Sequence, residues 1–158
     1  MRKLLSSGLV MFAGMVSAPS GVSTCQTIHR PAPDYRHDRR FGLLQRFFNR
    51  WECPARALSH VFLEAADDYD LDWRLLPSLS WVESTGGKQA RHNNMFGWDS
   101  GRASFTSLSA GIHTVGYYLS KSDLYRDKSI DEILSTYNPD AEYARKVKSV
   151  MRQIAPGD

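Results

Sequence analysis

The sequence predicts a mainly α domain that carries one small β-hairpin lobe. Two patterns predict the helices. Apolar residues recur at three- and four-residue spacings in several separate stretches, and side chains suited to helix starts stand just before some of them. A third observation predicts the lobe. After Gly87 the helical spacing gives way to a polar run, then to two short apolar runs on either side of Asp99-Ser100-Gly101. A chain of 158 residues has room for one compact domain and additional segments.

At the N-terminus Arg2 and Lys3 precede an apolar run from Leu4 to Val16, which gives way to small residues and Pro19. That is a secretory pattern, so residues 1–24 are read as a signal peptide and an exported protein is expected, whether periplasmic, envelope-associated or secreted. The apolar run is too short for a stable membrane span, and nothing after residue 20 is apolar for long enough. Val22, Ser23, Thr24 and Cys25 resemble a bacterial lipobox, which would place a lipid anchor on Cys25. The alternative is a Cys25–Cys53 disulfide, which an oxidising compartment sustains. The sequence leaves that choice open.

Residues 25–52 are read as a basic tether followed by a short amphipathic helix. Between Cys25 and Arg50 six arginines face only Asp34 and Asp38, a balance of +4. Trp51 to Asp158 carry 12 Lys and Arg against 15 Asp and Glu, a net −3. That sign disfavours nucleic acid as a partner of the folded part. The tether reading covers 26–40, which holds prolines and charges with little periodicity. Phe41, Leu44, Phe47, Phe48 and Trp51 then fall at helical spacing and predict a helix packed on the domain.

The domain proper is placed at 53–156 and is expected to be a monomer. Pro54 suits a first helical position, and Leu58, Val61, Phe62, Ala65, Ala66 and Tyr69 mark the core face of a helix from Ala55 to Tyr69. Asp67, Asp68 and Asp70 close it in a polar connection. The next helix is the central one, within Leu71 to Gly87. Asp72 is its expected N-cap, Leu75, Leu76, Leu79 and Val82 lie along it, and Gly86-Gly87 stop it. The hairpin lobe pairs Met95–Trp98 with Arg102–Phe105. Ser107 or Ser109 caps a helix with Leu108, Ile112, Val115, Gly116 and Leu119 inward. Ser129 and Glu132 form a capping box for a helix that ends near Tyr137-Asn138-Pro139. The last helix runs from about Asp140 to Ile154, with Tyr143, Val147, Val150, Met151 and Ile154 inward.

Glu83 is the one carboxylate on the central helix. It shares a face or its flank with leucines, and it stands at the C-terminal end, where the helix dipole disfavours negative charge. Both conditions favour the protonated carboxyl, which is what glycosidic bond cleavage needs as its acid. Asp99, at the tip of the lobe, is the only acid between Lys88 and Asp123 and so the candidate base. Other schemes find no support. The histidines at 29, 37, 60, 92 and 113 show no metal-ligand spacing, the serines lack a nucleophile elbow, and there is no phosphate-binding glycine loop. No metal and no cofactor are expected.

Three segments together carry a resemblance: Trp81-Val82-Glu83-Ser84, then Asn93-Asn94-Met95-Phe96-Gly97, then Tyr137-Asn138-Pro139 with Glu142-Tyr143-Ala144. In these the chain resembles the lysozyme-like superfamily, and within it the bacterial endo-β-N-acetylglucosaminidases of glycoside hydrolase family 73. The resemblance spans roughly Ala55 to Ile154 and implies a lysozyme-like fold and cleavage of peptidoglycan or another GlcNAc-containing glycan. It implies that Glu83 is the catalytic acid and that Tyr137 stands near the catalytic centre, steadying the developing cation or the substrate amide. Ser84, Asn93, Asn94, Phe96 and Trp98 would bind substrate, the asparagines by hydrogen bonds and the two aromatic rings by stacking. The Glu83-Ser84 pair also looks like lytic transglycosylases, which need only the one acid. A glycan-binding or envelope-assembly module that keeps the groove without activity is the alternative from another class.

Overall fold

The computed structural model describes residues 33–156, so the expected signal peptide and Cys25 lie outside the described residues. The order of elements is α1 (Arg39–Arg50), α2 (Ser59–Tyr69), α3 (Leu75–Ser84), α4 (Leu108–Lys121), α5 (Ile130–Tyr137) and α6 (Ala141–Ile154). Short 3-10 turns at Tyr35–His37 and Pro54–Leu58 precede α1 and α2. The protein is mainly helical, as the periodicity predicts.

The first helix obeys its spacing. Asp38 caps it by accepting from the Arg40 amide at 2.7 Å, and Leu44, Phe47 and Phe48 are buried. Phe48 stacks on Phe62 of α2 with ring centroids 5.8 Å apart. Burial of each such side chain contributes about 1.5–3 kcal/mol, so α1 is part of the core rather than an appendage to it. The tether ends earlier than expected for the same kind of reason. Tyr35 is buried and its hydroxyl donates to Asp67 at 3.0 Å, while Arg40 binds the same carboxylate at 2.6 Å. Asp67 therefore belongs to α2 and holds the incoming chain instead of forming part of a polar connection.

α3 runs through the middle. Every residue from Leu75 to Ser80 is buried, and α3 packs on α6 while α2 packs on α4. A helix apolar on all sides must be surrounded. Asp72 does not cap it directly. Its carboxylate accepts from the Arg74 amide at 2.9 Å in the preceding turn, and the helix begins at Leu75. Downstream, Ser107 is the cap of α4, and the Ser129–Glu132 capping box forms in both directions. Asp140 caps α6, and Tyr143, Val147, Val150, Met151 and Ile154 are all buried.

The hairpin does not form. Among the described residues there is no strand, only an isolated antiparallel bridge between Arg91 and Asn94. Between 97 and 101 the backbone turns through Gly97 (φ 59°), Asp99 (φ 53°), Ser100 (φ 53°) and Gly101 (φ 78°). Such left-handed residues coil the chain back on itself and leave no extended run to pair. The Asn94 side chain does the work of a ladder: its Nδ2 donates to the carbonyls of Trp98 (3.0 Å) and Ala103 (3.2 Å), and its Oδ1 accepts from the Trp98 amide (2.9 Å).

Candidate active site

Glu83 lies in the last turn of α3, where the buried helix surfaces. Thr85 ends the helix in the left-handed region at φ 54°, and the Gly86 amide closes back on the Ser80 carbonyl at 3.0 Å. This is the closure that satisfies a helix's last carbonyls. Gly86 fits because a Cβ there would lie 2.9 Å from the Cβ of Cys53. Cys53 itself is a buried free thiol, held above its ordinary range by that burial, while its proposed partner Cys25 lies outside the described residues.

The Glu83 side chain is half-buried. Its Oε1 accepts from the hydroxyl of Tyr143 on α6 at 2.6 Å. Its Oε2 faces Gly97, where a Cβ would come within 2.8 Å of it. The ring of Tyr137 stacks on that of Tyr143 at 6.0 Å, nearly parallel at 10°, and its hydroxyl donates to the Phe96 carbonyl. Burial, and then the hydrogen bond to Glu83, pushes the Tyr143 hydroxyl far above its ordinary range. Burial, then the Glu83 charge, does the same to Tyr137. Both phenols therefore keep their protons at any working pH and act as donors.

Beside this cluster opens a cleft of about 470 Å³, lined by Gly97, Trp98, Asp99, Tyr118, Tyr125 and Tyr137 among others. That volume lies in the range of small-molecule sites. Glu83 is not one of the residues that line the cleft. Gly97 and Tyr137 connect the two, one by touching the Glu83 carboxyl and the other by stacking on its hydrogen-bond partner.

The expected site residues divide into three groups. Glu83, Trp98 and Tyr137 come together, with the Trp98 and Tyr137 ring centroids 5.8 Å apart. Tyr137 lines the cleft, and its hydroxyl donates to the Phe96 carbonyl. Asp99 lines the cleft, but its side chain is 55% exposed and its carboxylate takes Arg102 at 2.6 Å. That pairing does not suit a base poised against a sugar. Ser84, Asn94 and Phe96 are buried and hold up the site from within. The Ser84 hydroxyl lies 2.8 Å from the Met95 carbonyl and accepts from the Gly87 amide at 3.1 Å. Phe96 has no exposed surface with which to stack on a ligand. Asn93 is exposed, left-handed at φ 58°, and donates to the Phe105 carbonyl at 2.9 Å.

Several participants escape a reading of spacing alone. Tyr143 reads as one more residue of the α6 core stripe, and nothing in the periodicity says that its hydroxyl reaches Glu83. Tyr118 had a signal: two adjacent tyrosines cannot both lie on the stripe marked by Ile112, Val115 and Leu119, so one of them had to face elsewhere. The chain matches no protein-family model, no curated protein and no solved structure.

Proposed function

We propose that this chain is an exported glycan-cleaving enzyme of lysozyme-like architecture. It acts as an endo-β-N-acetylglucosaminidase on peptidoglycan, with Glu83 as the general acid. The observation that carries this reading is one half-buried carboxyl that accepts from Tyr143 and lies against Gly97, a residue lining the aromatic cleft. In this reading a sugar seated against Trp98 and Tyr137 reaches Glu83 past Gly97 with its linkage oxygen. Protonation of that oxygen improves the leaving group as positive charge develops on the ring, and general acid catalysis of this kind is worth about 10²–10⁴ in rate. The basic N-terminal leader pattern and the three-segment resemblance support export and the glycan class.

Lytic transglycosylation is the second reading, and a specific observation favours it. The groups that bear on Glu83 are tyrosines, while the one acid on the cleft, Asp99, is occupied by Arg102. Two-carboxylate mechanisms need partners about 5–10 Å apart. A single acid that later serves as base, with the sugar's own hydroxyl attacking, needs no partner. Hydrolysis without a second carboxylate is served by the substrate's own N-acetyl oxygen.

The test is product analysis of purified cell wall treated with wild type and with Glu83→Gln. Reducing GlcNAc ends from wild type support hydrolysis, and anhydro-sugar ends support transglycosylation. Glu83→Gln should release neither. Cleavage that survives the substitution removes Glu83 as the acid, and wall binding without any cleavage by wild type leaves a non-catalytic binding module.

A further inference from the structure

We propose that the outer face of α1 docks on a bilayer of anionic lipids, with Arg39, Arg46 and Arg50 on the phosphates and Trp51 in the interface. The proposal stands whether or not Glu83 is an acid, because none of these residues lines the cleft or touches its carboxyl. α1 holds four arginines and no carboxylate. Arg40 turns to Asp38 and Asp67. The other three are exposed and make no ion pair among the described residues. At 3.6 residues per turn they fall within an arc of about 40° along one side of the helix.

The neighbouring acids do not cancel this face. Asp38 and Asp67 take Arg40, Asp72 takes Arg74, and Asp131 takes Lys148. Glu52, exposed and just past the end of α1, is the one carboxylate at that end without an ion pair among the described residues. Three unpaired arginines therefore stand against one such carboxylate. Arg152 of α6 adds a fourth cation close by, since Arg74 lines one cleft with Arg39 and another with Arg152.

Apolar groups mixed with these charges select a bilayer over a soluble polyanion. Leu43 lies beside the arginine row and lines a cleft of about 280 Å³ with Arg39. Trp51, at the C-terminal end of the row, is 42% exposed, with its ring 5.1 Å from that of Trp81. A half-exposed indole suits the membrane–water boundary, where its body is apolar and its N–H stays wet. A guanidinium forks onto phosphate oxygens, and a plane of headgroups offers phosphates along the whole row, about 16 Å from Arg39 to Arg50. A dissolved polyanion would meet the arginines but give Trp51 no apolar layer to enter. The lipid expected on Cys25, 14 residues before Arg39, would need such a second contact. One acyl chain alone holds a protein only marginally and reversibly.

The experiment floats the full-length chain with vesicles of phosphatidylcholine alone, or of three parts phosphatidylcholine to one part phosphatidylglycerol, at low salt. Every variant carries the same residues 1–32, so phosphatidylcholine alone reads what they contribute. The gain in affinity on the mixed vesicles reads the charged face. Wild type should show that gain and lose it in high salt. Combined Arg39→Gln, Arg46→Gln and Arg50→Gln should cut it about fivefold for each arginine, and the three lysine substitutions together should retain most of it. The charge-matched control is Lys121→Gln, Arg126→Gln and Lys128→Gln, in and just after α4, which packs on α2. It should keep most of the gain. Tryptophan emission should shift to the blue on mixed vesicles in wild type and not in Trp51→Phe. The changed residues of α1 point outward, so these variants should fold, which circular dichroism checks. An equal gain in wild type and the α1 glutamine variant overturns the docking face, as does an equal loss in the control. A blue shift that survives in Trp51→Phe overturns the seating of Trp51. Soluble polyphosphate bound by wild type, with no gain on mixed vesicles, overturns the bilayer in favour of an anionic polymer. Glu83→Gln should float as wild type does, so docking and cleavage are read separately.

Discussion

The hydroxyl of Tyr143 donates to Oε1 of Glu83 at 2.6 Å, across a sequence separation of 60 residues. The bond spans the packed pair α3 and α6, so the orientation of the carboxyl depends on the contact between the two helices rather than on the local turn. A negative charge at a helix C-terminus meets the wrong end of the dipole. The Tyr143 hydroxyl is the donor that meets the carboxyl there.

Tyr143→Phe tests this relationship. The ring stays and continues to stack on Tyr137, so the fold should hardly change. Loss of a hydrogen bond is worth about 0.5–1.5 kcal/mol, which in kcat/KM is about a two- to tenfold drop on solubilised wall glycan. Wild-type activity in this variant would show that Glu83 needs no orientation from α6.

Gly97 controls the other oxygen. It is left-handed at φ 59°, and an added Cβ would meet Glu83 Oε2 at 2.8 Å. Gly97→Ala should therefore lose about 1–2 kcal/mol to backbone strain and also push the carboxyl aside. Gly101 is the comparison: φ is 78° with nothing within 4 Å. Both alanine variants should show similar falls in urea midpoint, but only Gly97→Ala should lose cleavage. Equal activity in the two would separate Gly97 from the chemistry.

What was legible in the sequence follows a physical line. α1, α5 and α6 were readable because apolar spacing and caps act within a few residues: Leu44 and Phe48 stand one turn apart, Ser129 and Glu132 cap each other, and Asp140 accepts from the Glu142 amide. The 91–105 loop was not. Its alternation of short apolar runs around Gly101 reads as a hairpin, and only the long reach of the Asn94 amide shows that side-chain bonds have replaced the ladder. The site divides in the same way. Glu83 was legible as an oddly placed charge on an apolar helix. Tyr143 was not, because its partner Glu83 lies on another segment and periodicity is silent about which hydroxyl meets what, and the Tyr117-Tyr118 pair showed only that one ring leaves the stripe, not that it meets Trp98.

Asn94 should prove the structural hub of the loop. It is buried, and its amide group meets the Trp98 amide and two carbonyls. Asn94→Ala leaves these groups without that partner, at about 1–3 kcal/mol for each that stays dry. Asn93→Gly removes one exposed bond without straining the left-handed backbone at φ 58° and should cost about 1 kcal/mol or less. Chemical denaturation should rank the two in that order. Trp98 emission should shift to the red in Asn94→Ala as the indole loosens. If the two asparagines cost the same, the buried network contributes nothing beyond a surface bond.

The N-terminal latch predicts an acid and an alkaline limit. Asp67 is held below the ordinary carboxylate range, first by its hydrogen bond with Arg40 and also by the Tyr35 hydroxyl. A depressed folded-state value means that this contribution is present above the unfolded value, near 3.8, and is lost as pH falls through the folded one. Asp67→Asn should accordingly be less stable than wild type at neutral pH, with the gap closing as the pH drops below about 4. The Asp67 side chain is 42% exposed, so the gap should also shrink in high salt. On the other side Tyr35 is pushed up to about 12, by burial first and then by its bond to Asp67. Its contribution is present below the ordinary value of 10.0 and disappears as pH rises toward 12. Thermal unfolding of both proteins from acid to alkali reads the two limits. A wild-type-to-variant gap that stays constant across the acid range would mean that Arg40 and Tyr35 do not hold Asp67 in the folded protein, and that α1 is kept in place by its buried Leu44, Phe47 and Phe48.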